Sequence, residues 1–267
     1  MKIFIDTAKV DEIKKMSNFI DGVTTNPSLI KEAISEMKIK TRMEDYIKEI
    51  CEISGKNKPV SLEVISLTEK GMIEEAKILH DKFNDIANNV VIKIPINTFD
   101  GKMQKSHYEG LNTIKELNKQ NIPVNATLIM TPEQALLAAK MGATFVSPFI
   151  GRVDDFIRKN NNMKFEKYDY FPADGMEDYH DKGIFSGVDL IKKILNIFKN
   201  YKIRSEVIAA SLRNPIQVRE VAMVGAHIAT IPFKILEEMI QHPKTSEGII
   251  RFSEDTIQEY KNIFSYQ

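Results

Sequence analysis

Several things that whole classes of protein depend on are scarce in this chain. One cysteine, Cys51, stands among 267 residues, so no disulfide can close within the chain and a cysteine-rich zinc site is excluded. Cys51 falls in a helical pattern with Tyr46, Ile47, Ile50 and Ile53, which makes it a helix residue without redox duty. Neither sign of charge is in excess: Lys and Arg total 37, as do Asp and Glu. There is thus no global field to gather nucleic acid or an anionic membrane, and an anionic ligand has to be held by local arginines. The charged stretch 38–42 lacks the stacking aromatics of a nucleic-acid surface. No apolar run approaches the length of a membrane span, and the N-terminal Met1-Lys2-Ile3-Phe4-Ile5-Asp6 is too short for a secretory leader, so the expectation is a cytoplasmic protein. Histidine is also scarce. Of five, His80, His107, His180 and His242 fall in helices or loops, and His227 lies at the N-terminal side of a strand. That distribution disfavours a metal-dependent reaction, and neither metal nor cofactor is expected.

What is present is ordinary in bulk, 43% hydrophobic and 28% charged, and informative in order. Short β-branched runs alternate with amphipathic stretches. Strands are predicted at 3–6, 22–25, 60–65, 90–94, 123–128, 144–148, 206–210 and 228–231. Helices are predicted at 69–83, 102–119 and 131–141, the last opened by Thr131-Pro132-Glu133 and closed at Gly142. Eight β/α repeats in a chain of this length are the arithmetic of a single-domain α/β fold, the (β/α)8 TIM barrel. The main alternative is a doubly wound sheet, but no Gly-x-Gly-x-x-Gly follows an early strand. Two regions depart from the repeat. Residues 154–182, between the sixth and seventh strands, are polar and rich in asparagine and aromatics, and are expected to form a long functional loop. Residues 242–267 read as an additional C-terminal helix carrying Ile249, Ile250, Phe252, Ile257, Tyr260 and Phe264. That is more apolar surface than a lone terminal helix leaves in water, so it packs either on a neighbouring subunit or back on its own barrel.

One residue breaks the apolar pattern. Lys93 sits in Val90-Val91-Ile92-Lys93-Ile94-Pro95, a run with the character of a strand buried on both faces. Burial disfavours an ammonium relative to the free amine, and a free amine in such a place is a natural Schiff-base former with a ketone or aldehyde. The alternatives are a side chain reaching out to water or one paired with a nearby carboxylate. Active sites of these barrels lie at the C-terminal ends of the strands. There the sequence offers Asp6, then Thr24, Thr25 and Asn26, then Glu63, Lys93, Asn125 with Thr127, Ser147 with Arg152, and Ser211 with Arg213. Strand eight adds only Thr230 and Pro232. Singly these are weak signs, since a strand-end Asn or Thr commonly forms a turn or cap. Together they suit a metal-free aldol reaction of a ketose phosphate. A lysine attacks the carbonyl, two acids move protons, amides hold sugar hydroxyls and arginines clamp phosphate. Chemistry alone leaves the tasks of Asp6 and Glu63 interchangeable.

The blocks Asp21-Gly22-Val23-Thr24-Thr25-Asn26-Pro27-Ser28-Leu29, Val91-Ile92-Lys93-Ile94-Pro95, Asn125-Ala126-Thr127-Leu128, Ser147-Pro148-Phe149-Ile150-Gly151-Arg152 and Ala210-Ser211-Leu212-Arg213-Asn214 resemble the transaldolase family, in order along the chain. The tail from His242 through Phe252 resembles the compact branch, which includes fructose-6-phosphate aldolase. The resemblance implies a Schiff base on Lys93, with Glu63 shuttling protons through a water held by Thr127, and Asp6 taking the C4 hydroxyl proton. It implies Asn26, Asn125 and Ser147 on the hydroxyls of a dihydroxyacetone unit, and Arg152 and Arg213 with Ser211 on phosphate. It further implies a homo-oligomer, a pentamer or decamer joined through the C-terminal helix, acting on sugar phosphates in the pentose phosphate pathway. Within the family, the aldolase branch carries tyrosine where this chain has Phe149 and glutamine where it has Glu63, so the pair favours transfer over simple cleavage. Aldolase activity releasing free dihydroxyacetone is the alternative, and a non-catalytic sugar-phosphate-binding barrel a more distant one. The 154–182 segment is larger than the compact branch carries.

Overall fold

A computed structural model describes residues 1–36, 42–99 and 106–264. Eight parallel strands close into a barrel in sequence order: β1 (Lys2–Asp6), β2 (Gly22–Thr24), β3 (Val60–Glu63), β4 (Val90–Pro95), β5 (Val124–Ile129), β6 (Phe145–Pro148), β7 (Glu206–Ala209) and β8 (Ile228–Ile231). β1 pairs with β8, which completes the ring. The predicted strands coincide with these to within two residues. Period-two alternation divides each strand between two cores. One face meets the helices in the large apolar cluster of Ile5, Val23, Leu62, Ile92, Ile94, Val146 and their neighbours. The other face looks into the barrel, where Phe4, Val91, Phe145, Ile208 and Ile228 form a separate buried layer. Gly22 completes that layer by having no side chain: a Cβ there would lie 2.7 Å from the Phe4 ring. Two residues further along the same strands stand Asp6, Lys93, Ser147 and Thr230, so the alternation that builds an apolar floor also sets a polar layer above it.

The helices differ from expectation in four places. The helix predicted at 69–83 runs on to Ala87. The 102–119 helix begins at Glu109 and runs to Lys119; residues 102–105 lie outside the described residues, as do 38–41 of the charged stretch and 265–267 of the tail. The loop expected at 154–182 begins later. A helix, Ile150–Asn160, runs through its first seven positions, and the irregular segment is 161–186, ending where Ser186 caps the helix Gly187–Asn200. The apolar face Ile150, Val153 and Ile157 is regular. What obscured it is that its charged residues Asp154 and Arg158 are buried too. The tail forms two helices, Pro243–Glu254 and Gln258–Lys261, neither with a buried residue. The helix Pro132–Lys140 starts as its sequence predicts, with a capping box in which Thr131 Oγ1 accepts from the Gln134 N–H and the Gln134 side chain accepts from the Thr131 N–H.

Candidate active site

The polar layer is knit by short contacts between strands. Lys93 is only 5% exposed, and it is paired: its Nζ lies 3.1 Å from Glu63 Oε2 and donates to the Thr25 carbonyl at 3.1 Å. The Glu63–Lys93 pairing follows from the β3–β4 register, which sets the two residues side by side. Of the three readings of a lysine in this strand, the structure shows the paired one, with a partner that itself belongs to the candidate site. A carboxylate in this position can receive the proton an ammonium must lose before its nitrogen attacks a carbonyl.

Asp6 is held from the opposite side. Thr24 donates to Asp6 Oδ1 at 2.7 Å, and the Thr24 and Thr230 hydroxyls lie 2.5 Å apart. Burial pushes the Asp6 carboxyl above its ordinary range, against the opposing pull of the Lys93 charge and the Thr24 hydroxyl. A carboxylate so desolvated is a stronger base than one in water. On the next strands Ser147 Oγ donates to Asn125 Oδ1 at 2.7 Å, and Asn125 Nδ2 donates to Ser61 Oγ at 3.1 Å. This chain fixes the amide's orientation. The Thr127 hydroxyl is buried and makes no hydrogen bond to a protein atom. It lies on β5 beside a register shift between Ala126 and Ile129, where Leu128 adopts φ +59°. Such an irregularity in a barrel strand re-aims the neighbouring side chain. Asn26 Oδ1 accepts from the Leu29 N–H at 3.0 Å, capping the helix Pro27–Glu36, and its Nδ2 donates to no atom among the described residues.

Above this layer opens a cleft of about 640 Å³ whose lining includes Asp6, Arg152, Lys167, Ser211 and Arg213. The Arg152 guanidinium lies 5.0 Å from the centroid of the Phe149 ring. β6 and β7 are joined where they end, the Ile150 N–H donating to the Ala210 carbonyl and the Gly151 N–H to that of Ser211, with Ser211 at φ +61°. Arg213 is more constrained than expected of a free phosphate clamp. Its Nη2 donates to Asp155 at 2.8 Å, its Nη1 to the Lys167 carbonyl at 3.1 Å, and its backbone N–H to Gln217 Oε1 at 2.8 Å. Gln217 in turn donates to Asp154 at 2.7 Å, and Asp154 also accepts from the Gly187 N–H. Burial pushes the Asp154 carboxyl up to about 7, with the Gly187 N–H, Arg158 and Gln217 working the other way.

Gly151 is where Arg213 passes closest to the main chain: a Cβ there would stand 2.4 Å from Arg213 Nε and 2.5 Å from the Ser211 carbonyl. Gly151→Ala should therefore displace the arginine together with the Ser211 carbonyl beside it. We expect KM for phosphorylated substrates to rise about tenfold or more, read from steady-state kinetics beside a circular dichroism spectrum that shows whether the fold is kept. An unchanged KM would mean that Arg213 placement does not matter to binding.

Ten of the eleven candidate residues lie toward the C-terminal ends of the strands or on the turns that follow, while Asn125 sits deeper, fully buried as the second residue of β5. Ser61, Asp155, Gln217 and Lys167 were not anticipated. Ser61 could have been, since it precedes Glu63 by two residues and shares its face. The others contact the site only through tertiary structure.

The "Transaldolase/Fructose-6-phosphate aldolase" family profile matches residues 3–266. A Caldicellulosiruptor saccharolyticus protein named "Probable transaldolase" is 45% identical over 258 residues, covering 96% of each chain. A Thermoplasma volcanium protein of the same name is 42% identical over 257 residues, 96% of this chain and 95% of the other. Among solved structures, a Pediococcus acidilactici chain described as a refolded lactate oxidase superposes with a TM-score of 0.50 at 12% identity, over 86% of this chain and 62% of the other; that likeness concerns the barrel fold alone. With the profile spanning nearly the whole sequence and relatives above two-fifths identity end to end, this chain belongs to the transaldolase/fructose-6-phosphate aldolase family.

Proposed function

We propose that the protein is a transaldolase, moving a dihydroxyacetone unit from sedoheptulose 7-phosphate or fructose 6-phosphate to glyceraldehyde 3-phosphate or erythrose 4-phosphate, as a cytoplasmic step of the pentose phosphate pathway. The observation that carries this reading is the buried Lys93 with its Glu63 partner at 3.1 Å, in a layer shared with Asp6, Asn125 and Ser147. Glu63 takes a proton from Lys93, and the free amine attacks the C2 carbonyl. Glu63, through a water on the Thr127 hydroxyl, supplies the proton with which the carbinolamine loses water, leaving an iminium. Asp6 accepts the C4 hydroxyl proton as the C3–C4 bond breaks, and the bonding pair flows into the iminium to give an enamine. Asn26, Asn125 and Ser147 hold the hydroxyls of the three-carbon unit, while Arg152, Ser211 and Arg213 receive phosphate. The aldose phosphate departs, the enamine carbon attacks the acceptor aldehyde, and Asp6 returns its proton to the new alkoxide. Hydrolysis then frees the product.

Phe149 bears on the choice between transfer and cleavage. It sits at the end of β6, half-buried beside Arg152, and its ring has no proton to give an enamine. Phe149→Tyr should raise release of free dihydroxyacetone relative to transfer by about tenfold, which is ~1.4 kcal/mol of barrier. The assay is fructose 6-phosphate with and without erythrose 4-phosphate. For the native protein, glyceraldehyde 3-phosphate appearing only when acceptor is present supports transfer. Dihydroxyacetone accumulating without acceptor would make it an aldolase, and no turnover under either condition would favour a sugar-phosphate-binding barrel. Assembly is proposed to run through the tail, where Ile249, Ile250, Phe252, Ile257, Tyr260 and Phe264 are all exposed. An exposed apolar row of this extent is what supports a homo-oligomer, a pentamer or decamer. Among the described residues no helix is long and apolar enough to cross a membrane.

A further inference from the structure

The irregular segment 161–186 reaches the cleft through two backbone carbonyls. That of Lys167 accepts from Arg213 Nη1 at 3.1 Å, and that of Tyr168 accepts from Asn214 Nδ2 at 3.3 Å. Both donors follow β7 directly, so the segment is pinned to the mouth of the barrel at adjacent positions, and both Lys167 and Tyr168 line the cleft with Arg152, Ser211 and Arg213.

The cations there are unequal. Arg213 already has a carboxylate, Asp155, at 2.8 Å. Lys234 has Glu238 at 3.8 Å. Lys9, across the cleft, is surrounded by Glu12, Glu32 and Glu36. Arg152 and Lys167 form no ion pair among the described residues; each lies over an aromatic ring instead, Arg152 5.0 Å from the Phe149 centroid and Lys167 5.4 Å from that of Tyr168. The Lys234 ammonium is also 5.4 Å from the Tyr168 centroid, so one ring gathers two positive charges at the lip. A ring face orients a cation without neutralising it. The uncompensated charge available to an anion is therefore that of Arg152 and Lys167, whereas much of Arg213's hydrogen-bonding capacity goes into anchoring the segment.

We propose that Lys167 is a phosphate-recognising residue supplied by this segment, and that it sets how strongly the enzyme prefers phosphorylated over unphosphorylated aldehydes. The proposal rests on the transfer reaction for its second half and on the cleft's charges alone for its first. Binding of inorganic phosphate to the full-length protein tests the first half. Lys167→Met should weaken it about five- to tenfold, whereas Lys164→Met, an exposed lysine on the same segment outside the cleft, should bind as the native protein does. Equal binding by the native and Lys167→Met proteins would overturn the proposal. In transfer assays, the ratio of kcat/KM for glyceraldehyde 3-phosphate to that for glyceraldehyde should fall by about the same factor in Lys167→Met and recover in Lys167→Arg. Equal losses on both acceptors would reduce Lys167 to a structural part and overturn its role in selectivity. Phosphate binding that depends on Lys167 in a protein that transfers to neither acceptor would sustain the anion site and remove the transaldolase reading.

Discussion

Lys93→Met should lose turnover by roughly 10⁵-fold or more, because it removes the nitrogen on which the proposed covalent path depends and leaves, among the described residues, no other buried lysine. Methionine has a similar length and no charge. It takes from Glu63 its ion-pair partner at 3.1 Å, but the Glu63 side chain, 15% exposed, keeps a path to water, so the barrel should still fold. The measurement is borohydride reduction in the presence of fructose 6-phosphate, followed by mass spectrometry. The native chain should gain a dihydroxyacetone-derived adduct on Lys93, and the variant should gain none. An adduct on another lysine, or undiminished turnover in the variant, would sink the assignment.

Asp6→Asn should reduce kcat by about 10²–10⁴-fold, the range expected for loss of a positioned general base, while Schiff-base trapping on Lys93 persists. Asparagine can still accept the Thr24 hydrogen bond, so geometry is largely kept. Two pH effects separate this role from a structural one. In its proposed role Asp6 must be ionised to take the C4 hydroxyl proton, and burial raises its carboxyl above the ordinary 3.8. The acid limb of the native rate profile should therefore lie above the usual carboxylate range. For stability the sign is the reverse of a salt-bridged carboxylate: the folded state binds its proton more tightly than the unfolded state. Stability associated with Asp6 is thus full below its unfolded value and falls as pH rises through the folded one. Asp6→Asn should melt higher than the native protein, and the gap should widen from pH 4 to pH 8. A Tm unchanged across that range would argue that the carboxyl is not strained by its burial. A variant that melts higher by a margin widening with pH would instead show activity and stability traded against each other at this one carboxyl.

Much of this site was legible in the sequence because a barrel strand presents alternate residues inward and its functional ones last. Lys93 two residues after Val91, and Asp6 two after Phe4, follow from that rule with no tertiary knowledge. The same rule, applied backward from Glu63, would have found Ser61. What remained hidden depends on contacts between distant segments. The expected loop at residue 154 looked polar because Asp154 and Arg158 are charged, yet both are buried. The backbone N–H of Gly187 and the amide of Gln217 answer Asp154, and the rings of Phe165 and Phe171 flank Arg158. Local patterning cannot register a charge whose partner lies tens of residues away. For the same reason the arginine expected to clamp phosphate came with an unforeseen carboxylate, Asp155, and the lysine without one came from the segment whose chemistry was least readable.

The floor formed by Phe4, Val91, Phe145, Ile208 and Ile228 makes the site a blind well: traffic enters and leaves by one doorway. In the proposed transfer, the first aldose must clear that doorway before the second arrives, while the three-carbon fragment waits tethered below. Double-reciprocal plots at several fixed acceptor concentrations should accordingly run parallel. Either sugar in large excess should slow the other by queuing at the wrong half of the cycle.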